Sequence, residues 1–353
     1  MVAPICNFPS KPKLRLGFVP LSDCAPIAVA QEMGIFNRHG LDVELTRELG
    51  WASVRDKLIY GHLDAAQSIA GIALALALGI NEMRCEVAVP LVLNLHGNAI
   101  TISTEIGLDK IGRGEGLRNF LTHCWKKERP FTLAVTHRYS SHYTLLKSWL
   151  ARHGVASPEL VEIIFLPPSL MPRSLASGHI DGYCVGEPWN SESIIAGTGW
   201  CPVTSAEISR GHPEKVLIVS GNFLQQHKDE SISLVAALIE ACILCQKTEF
   251  REELISILAL KAYTGTTPEV LRNSLGPIFN SGVDRVSATG FHVFHGDSVN
   301  RPTMDKASWV LSELRNVGTI SEGTCGGLSR IFREDLYHAA EQSLARNDSK
   351  VPV

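Results

Sequence analysis

The chain has 353 residues, 45% of them apolar and 20% charged, and a formal net charge of -3 at pH 7. This length suffices for two lobes with separate cores, and the near-neutral charge gives no reason to expect nucleic acid or an anionic membrane surface as the main partner. The longest apolar stretch, Ile69 to Ile80 (IAGIALALALGI), is too short to span a bilayer, so no membrane insertion is expected.

LRLGFV (14–19) reads as a short buried strand, followed by the turn PLSDCAP and a helix from about Ile27 to His39, with Gly34 and Gly40 near its end. DVELTREL is a second strand, Gly50-Trp51-Ala52-Ser53 opens a helix through Tyr60, and GHLDAAQ is a turn and third strand. Strands alternating with helices in this way imply a mostly parallel sheet with right-handed crossovers, whose ligands sit beyond the carboxyl ends of the strands. The loops at Ser22-Asp23 and Gly50-Trp51 are therefore expected to face the site.

EVAVPLVLNL (86–95) and AITIST (99–104) read as two more strands, and the glycine-rich IGRGEG suggests a lobe boundary near residue 106. FTLAVTH, a helix from about His142 to Gly154, VEIIFLPP, a short helix near Leu170–Gly178 and GHIDGYCVG then repeat the same grammar. After VLIVSG (216–221) come helices at roughly Asp229–Glu249, Glu252–Tyr263, Pro268–Asn273, Met304–Asn316 and Ser329–Arg346, assigned to the first lobe as a cap. The expected architecture is α/β and two-lobed. Residues 12–106 and 217–345 form lobe 1 and residues 107–216 form lobe 2, each a mostly parallel sheet flanked by helices with the ligand in the cleft between them.

GHLDAAQ (61–67) and GHIDGYC (178–184) repeat Gly-His-apolar-Asp-small. In each, Gly closes a helix in the left-handed region and Asp64 or Asp181 accepts backbone N–H groups at the corner, so the repeat reads as shared turn geometry.

Nine cysteines (6, 24, 85, 124, 184, 201, 242, 245 and 325) are an odd number without regular spacing, which fits a reducing compartment rather than a disulfide framework. Cys242 and Cys245 form a CxxC inside the apolar run LVAALIEACILC, where core packing is the expected role, and no metal site is proposed. The amino terminus, MVAPICNFPSKPKLRLGF, lacks a basic start, a continuous apolar region and a small-residue cleavage site. A cytoplasmic location is expected of the chain as written, and a periplasmic one if the reading frame begins upstream.

GRGEG (112–116) lacks dinucleotide-loop spacing, GxxxxGK[ST], GxSxG and HExxH are absent, and FHVFH (291–295) reads as packing. No cofactor and no catalytic set is expected. Trp51, His96, Asn98, His142 and Lys215 are the polar groups expected to reach the cleft, and none is acidic. An indole N–H, an amide, imidazoles, an ammonium and a helix amino terminus suit a small anion.

LRLGFVPLSDCAP, GIFNRHGLDVEL, WASVRDKL, LDAAQ, GNAIT, GHIDGYCVGEPWN, HPEKVL and FHVFHGDSVNRP, in this order, resemble the nitrate- and bicarbonate-binding proteins of ABC import systems and their cytoplasmic nitrate-sensing relatives. The resemblance implies the type II periplasmic-binding-protein fold and a binding protein rather than an enzyme. It puts Trp51, Asn98, His142 and Lys215 on the ligand. Ser22, Asp23, Gly50, His96, Glu187 and Trp189 then become further cleft- or hinge-side residues, with Glu187 pairing across the lobes and Trp189 packing. Lys215 favours nitrate or nitrite, because bicarbonate binders of the family are expected to use an acidic residue and a metal there. The implied role is a cytoplasmic sensor of nitrate or nitrite that acts on an RNA-binding antitermination partner. The alternative is the solute-binding component of a nitrate or bicarbonate importer, partnered by its permease. A minor alternative is a thiamine-pyrimidine synthesis enzyme or binder of the same fold, although the cysteine-rich motif that marks those enzymes is missing here.

Overall fold

Short strands, most of them followed by a helix that ends near a glycine, set the architecture. The computed structural model of the protein describes residues 13–80, 83–125, 129–155, 157, 159–321, 323 and 327–348. Cys6, Cys325 and the reading of the first residues lie outside these.

The strands are β1 (Leu14–Phe18), β2 (Val43–Arg47), β3 (Ala65–Ile69), β4 (Val87–Val92), β5 (Asn98–Ser103), β6 (Phe131–Val135), β7 (Val161–Phe165), β8 (Gly182–Gly186), β9 (Gly199–Thr204) and β10 (Lys215–Ser220). They form two five-stranded sheets, ordered β2-β1-β3-β10-β4 and β7-β6-β8-β5-β9. In the first, β1 runs parallel to β2 and β3 while β10 is antiparallel to β3 and β4. In the second, β6 runs parallel to β7 and β8 while β5 is antiparallel to β8 and β9. The two sheets therefore have one plan, with a single reversed strand in fourth place that arrives from the other half of the molecule.

The chain changes sheets earlier than the expected boundaries. β5, which the sequence reading left with the first lobe, pairs with β8 and β9. The redirection comes at His96 and Gly97, with φ of 58° and 87°, not at the glycines after residue 106. The return strand likewise opens at Lys215 rather than at 217. The two crossing segments bond to each other: Glu214 N donates to Asn94 O (3.0 Å) and Leu93 N to Lys215 O (2.7 Å). The helix expected over Ile27–His39 is two, Ala25–Glu32 and Ile35–Arg38, because Gly34 between them sits at φ 65°.

The first core places Ile27 and Val29 with Leu234, Val235 and Leu238 of the helix Lys228–Gln246, and Cys242 and Cys245 are buried in the same cluster as packing residues. The second core gathers Ile100, Leu133, Leu145, Trp149 and Trp200. The apolar stretch after Ile69 forms the helix Ala70–Leu78, buried through most of its length. Among the described residues no single helix is long and apolar enough to cross a membrane. The late helices do not belong to the first lobe alone. Pro268–Leu275 docks on the second lobe through Asn273 Nδ2 to Ser191 Oγ (3.0 Å), and Met304–Asn316 packs against both Ala70–Leu78 and Ser141–Arg152.

The repeated Gly-His-apolar-Asp corner is structural in both copies. Gly61 and Gly178 share φ 68°. Asp64 accepts from Arg15 N (2.9 Å) and Arg15 Nη2 (2.6 Å), and Asp181 accepts from Thr132 N (2.9 Å) and Arg129 Nη1 (2.6 Å). Each carboxylate thus ties its turn to the neighbouring strand, rather than to backbone N–H groups within the turn. Asp181 is the more buried of the two, with a side-chain exposure of 1% against 14% for Asp64. Asp181→Ala is expected to cost about 3 kcal/mol and Asp64→Ala about 1–2 kcal/mol, because the loss of a buried acceptor strands its donors without water. Denaturant unfolding of the two variants checks the order, and equal losses would contradict it.

Candidate functional site

The register of the two sheets brings the site together. Lys215, the first residue of β10, lies opposite Ile69 at the carboxyl end of β3, and Asn98, the first residue of β5, lies opposite Gly186 at the carboxyl end of β8. The two residues hold equivalent places in the two sheets, at the strand ends where such folds bind ligands. His142 enters on the first turn of the helix Ser141–Arg152, whose Ser140 side chain caps Tyr143 N, and Trp51 opens the helix Trp51–Ile59. All four are buried, Trp51 at 1% exposure and the others at 0%.

Lys215 Nζ lies 2.7 Å from Glu214 Oε1 and 2.9 Å from Asp23 Oδ2, and 5.4 Å from the centre of the Trp51 ring. Glu214 Oε2 accepts from Ser141 Oγ (2.5 Å), while Asp23 Oδ1 accepts from Gln67 Nε2 (2.5 Å), itself oriented by Val19 N on Gln67 Oε1 (3.0 Å). His142 Nε2 is 3.0 Å from Asn98 Oδ1 and its Nδ1 is 2.8 Å from Thr136 Oγ1. With Asn98 Oδ1 accepting, Nε2–H donates and Nδ1 accepts the threonine hydroxyl, the arrangement of a neutral imidazole. The Asn98 amide nitrogen and the Trp51 indole nitrogen find no partner among the described residues, nor does Asp23 Oδ2 have an aligned donor, despite its ion pair with Lys215.

These distances add acidic side chains to the expected donor set of Trp51, His96, Asn98, His142 and Lys215. Two carboxylates meet the ammonium, and one of them is Asp23, which the sequence reading placed only at the cleft or hinge. Burial pushes the Asp23 carboxyl up to about 6, against the pull of Lys215. Burial also opposes the charge on Glu214, but the attraction of Lys215, His142 and His212 overcomes it and brings that group down to about 2. Burial likewise opposes the Lys215 charge, and Asp23 and Glu214 raise its pKa in spite of it. Burial, with Lys215 adding, lowers His142 to about 3, so its imidazole is neutral near pH 7.

Around this centre the lobes are closed on each other. Ser22 N donates to Glu187 O (2.6 Å) and Trp189 Nε1 to Pro20 O (3.0 Å), both across the cleft. Glu187 precedes a cis peptide to Pro188, and its carboxylate turns inward to accept Ser191 N (3.2 Å), so the crossing is made by its main-chain carbonyl and not by the expected side-chain pair. A side chain at Gly186 would come within 3.2 Å of Asn98 Oδ1 and 3.4 Å of Asp23 Oδ2, which explains why the backbone here is bare. A Cβ at Gly50 would lie 4.0 Å from Pro167 of the other lobe, in ordinary contact. His96 does not reach the cleft. Its ring joins Gly290 O (2.7 Å) and Gly211 N (2.6 Å), which places it in the hinge.

Glu214, Gln67, Thr136 and Ser141 were missed by sequence reasoning. Glu214 is adjacent to Lys215, and strand alternation would aim it away, but the strand begins only at Lys215, so the alternation does not reach it. Its signal was the charge pair inside HPEKV. No group of three or more His, Cys, Asp or Glu able to hold a metal ion occurs among the described residues. Chemically, the arrangement offers an ammonium with a third N–H, an indole N–H and an amide N–H to an acceptor-only ligand of a few atoms.

The chain is 34% identical over 344 residues to the nitrate import ATP-binding protein NrtC of Synechocystis sp. strain PCC 6803, a match that covers 96% of this chain and 51% of that protein. It is 36% identical over 338 residues to the bicarbonate transport ATP-binding protein CmpC of the same organism, covering 95% of this chain and 50% of that protein. It thus spans about half the length of these relatives. The crystal structure of the periplasmic nitrate-binding protein NrtA from Synechocystis PCC 6803 superposes with a TM-score of 0.89 at 24% identity, over 96% of this chain and 91% of that one. That likeness gives the two-lobed periplasmic-binding-protein fold. The model of the NMT1-like family matches residues 8–259, and the chain belongs to that family.

Proposed function

We propose that this protein binds nitrate or nitrite between its lobes, as a binding protein and not an enzyme. The observation that carries the reading is the pair of buried donors, Trp51 Nε1 and Asn98 Nδ2, that have no partner among the described residues beside the buried Lys215 ammonium. A buried polar group without a partner costs about 1–3 kcal/mol, and an anion of acceptor oxygens supplies what each lacks. Similarity to the nitrate-binding protein NrtA supports the same class of ligand. Four heavy atoms at a ceiling of roughly 1.5 kcal/mol each limit binding to about 6 kcal/mol, a Kd in the tens of micromolar.

In the role we favour, the protein is a cytoplasmic sensor whose anion-bound, closed state differs in affinity for an RNA-binding antitermination partner. The order of motifs along the chain supports this, as do the free cysteines, among them the buried Cys24, Cys184 and Cys201. A second reading is favoured by one observation: nearly the whole chain aligns with half of the Synechocystis nitrate import ATP-binding protein, as it does with half of the bicarbonate one. In that reading the protein is the substrate-binding part of an anion importer and works with its permease. Co-precipitation with and without nitrate separates the roles, since the first requires an RNA-binding protein released by the anion and the second a membrane permease.

Calorimetric titration with nitrate, nitrite, sulfate and bicarbonate, the last with and without calcium, tests the ligand. Lys215→Met is expected to reduce nitrate affinity by about 100-fold, in line with the loss of a charged hydrogen bond in a buried site. A response to bicarbonate with calcium alone would overturn the proposal.

Trp51→Phe keeps the buried ring but removes the N–H. It is expected not to lower thermal stability without anion, since it removes a buried donor that has no partner among the described residues, and to weaken nitrate about tenfold, the equivalent of one hydrogen bond. Unchanged affinity would remove Trp51 from the site.

Trp189→Phe touches no ligand atom but removes a bond across the cleft. Nitrate affinity should fall by roughly fivefold through the closed-state population alone. An unchanged affinity would show that this bond does not stabilise the binding form.

A further inference from the structure

The Lys215 cluster carries one positive charge and two carboxylates, all three side chains at 0% exposure. With both carboxylates ionised the cluster is already net negative. A nitrate or nitrite added in contact with it would bring a second uncompensated negative charge into a fully buried site, which a low-dielectric interior strongly disfavours. Either the anion does not bind or a proton comes with it.

We propose that the anion binds together with one proton, taken up by Asp23, so that Asp23 becomes a hydrogen-bond donor to the ligand. This rests on the reading of the site as one for nitrate or nitrite and adds to it the regulation of that site by pH.

The geometry selects Asp23 over Glu214. Glu214 has both oxygens engaged, by Lys215 Nζ at 2.7 Å and by Ser141 Oγ at 2.5 Å, with His142 and His212 each 3.7 Å away. Asp23 has one oxygen on Gln67 Nε2, while the other lacks an aligned donor. That second oxygen meets the Lys215 ammonium at 2.9 Å, so a proton there gives up one ion-pair contact, whereas on Glu214 it would give up an aligned bond to Lys215 or Ser141. The Asp23 oxygen lies at the junction of the lobes, since a side chain on Gly186 would come as close to it (3.4 Å) as to Asn98 Oδ1 (3.2 Å). A nitrate ion has no hydrogen to offer a carboxylate, so an ionised Asp23 beside it is repelled, and a protonated one is a donor.

The charged and titratable groups facing Asp23 are few. From β10 and the residue before it come Lys215, which pulls its pKa down, and Glu214, which pushes it up. Its neighbour Cys24 is kept as a neutral thiol by burial. Glu187, on the turn opposite, accepts Ser191 N with one carboxylate oxygen while the other has no partner among the described residues, and burial raises it to about 7, so it is the rival site for the proton that Asp23→Asn separates. His142 and His212, each 3.7 Å from a carboxylate oxygen of Glu214, are lowered by burial to about 3 and about 4. Neither imidazole competes for the proton near pH 7, and burial has already brought Asp23 up to about 6, within reach of a further rise when an anion arrives.

Titration calorimetry of the unmodified protein with sodium nitrate, in two buffers of different ionisation enthalpy at pH 6, 7 and 8, counts the protons directly. The expected result is close to one proton taken up per nitrate at pH 7 to 8, with affinity falling roughly tenfold per pH unit above about pH 6. The sign follows because the anion-bound form holds the proton more tightly, so raising pH favours the anion-free form. In Asp23→Asn, which carries a permanent amide donor, proton uptake should vanish and affinity should be level from pH 6 to 8. Saturable nitrate heat with no proton uptake would overturn this proposal and leave nitrate binding standing. Uptake that persists in Asp23→Asn would overturn the assignment to Asp23. No nitrate heat at any of the three pH values would remove both the proposal and the nitrate reading beneath it.

Discussion

A lysine ammonium held between two carboxylates at full burial is the constraint around which the molecule is arranged. Each ion of such a group would lose several kcal/mol of hydration on burial, and only close pairing repays it. Lys215, Glu214 and Asp23 meet within 2.9 Å, and every remaining oxygen contact is supplied from a different element: Gln67 from β3 and Ser141 from the second lobe. Glu214 thereby fastens the second lobe's helix to the first lobe's reversed strand.

The topology delivers these residues without strain. Both sheets have a reversed strand in fourth place, and in both the first residue of that strand, Lys215 or Asn98, stands at the carboxyl edge of the parallel strands. A residue at the mouth of each lobe is thus guaranteed by the plan of the fold, and the crossing segments, paired with each other through Asn94 and Glu214, fix the distance between the mouths. His96, with φ 58° and both ring nitrogens engaged, holds the bend at which the chain changes sheets.

Much of this could be read from the sequence because it follows from local rules. The strand-helix alternation, the glycine-closed helices and the Asp64 and Asp181 corners are set by residues within one turn of each other or by one neighbouring strand. Trp51, Asn98, His142 and Lys215 were found as donors at strand and helix starts, and they do come together. The acidic half of the site was not legible for a physical reason. Glu214 bends back onto its own neighbour just before the strand begins, where alternation no longer predicts direction, and Asp23 is drawn in by Gln67, 44 residues away. The change of sheet at His96 was hidden because a positive φ at a histidine leaves no mark as visible as the glycines of IGRGEG. The late helices straddle both lobes because one apolar face can serve two neighbours: Ala307, Val310, Leu311 and Leu314 pack in a cluster that holds both Ala73 and Tyr139, and periodicity marks a buried face without saying which lobe covers it.

Closure and ligand binding follow from one balance. In the closed form Trp51 Nε1 and Asn98 Nδ2 are removed from water without a protein partner, at about 1–3 kcal/mol each. Against this stand the crossing bonds Ser22–Glu187, Trp189–Pro20 and Ser141–Glu214, worth about 1 kcal/mol each in net terms. The bonds Asn273–Ser191, Thr266–Glu192 and Tyr139–Ile80, and an apolar cluster joining Val19, Leu21 and Trp51 to Tyr183, Val185 and Trp189, add to the favourable side, so the stranded donors offset part of what holds the lobes together. A ligand that supplies acceptors to the two stranded donors removes the unfavourable sum and leaves the favourable one. A small acceptor-only ligand that binds there would therefore favour the closed state by the difference in its affinity for the two.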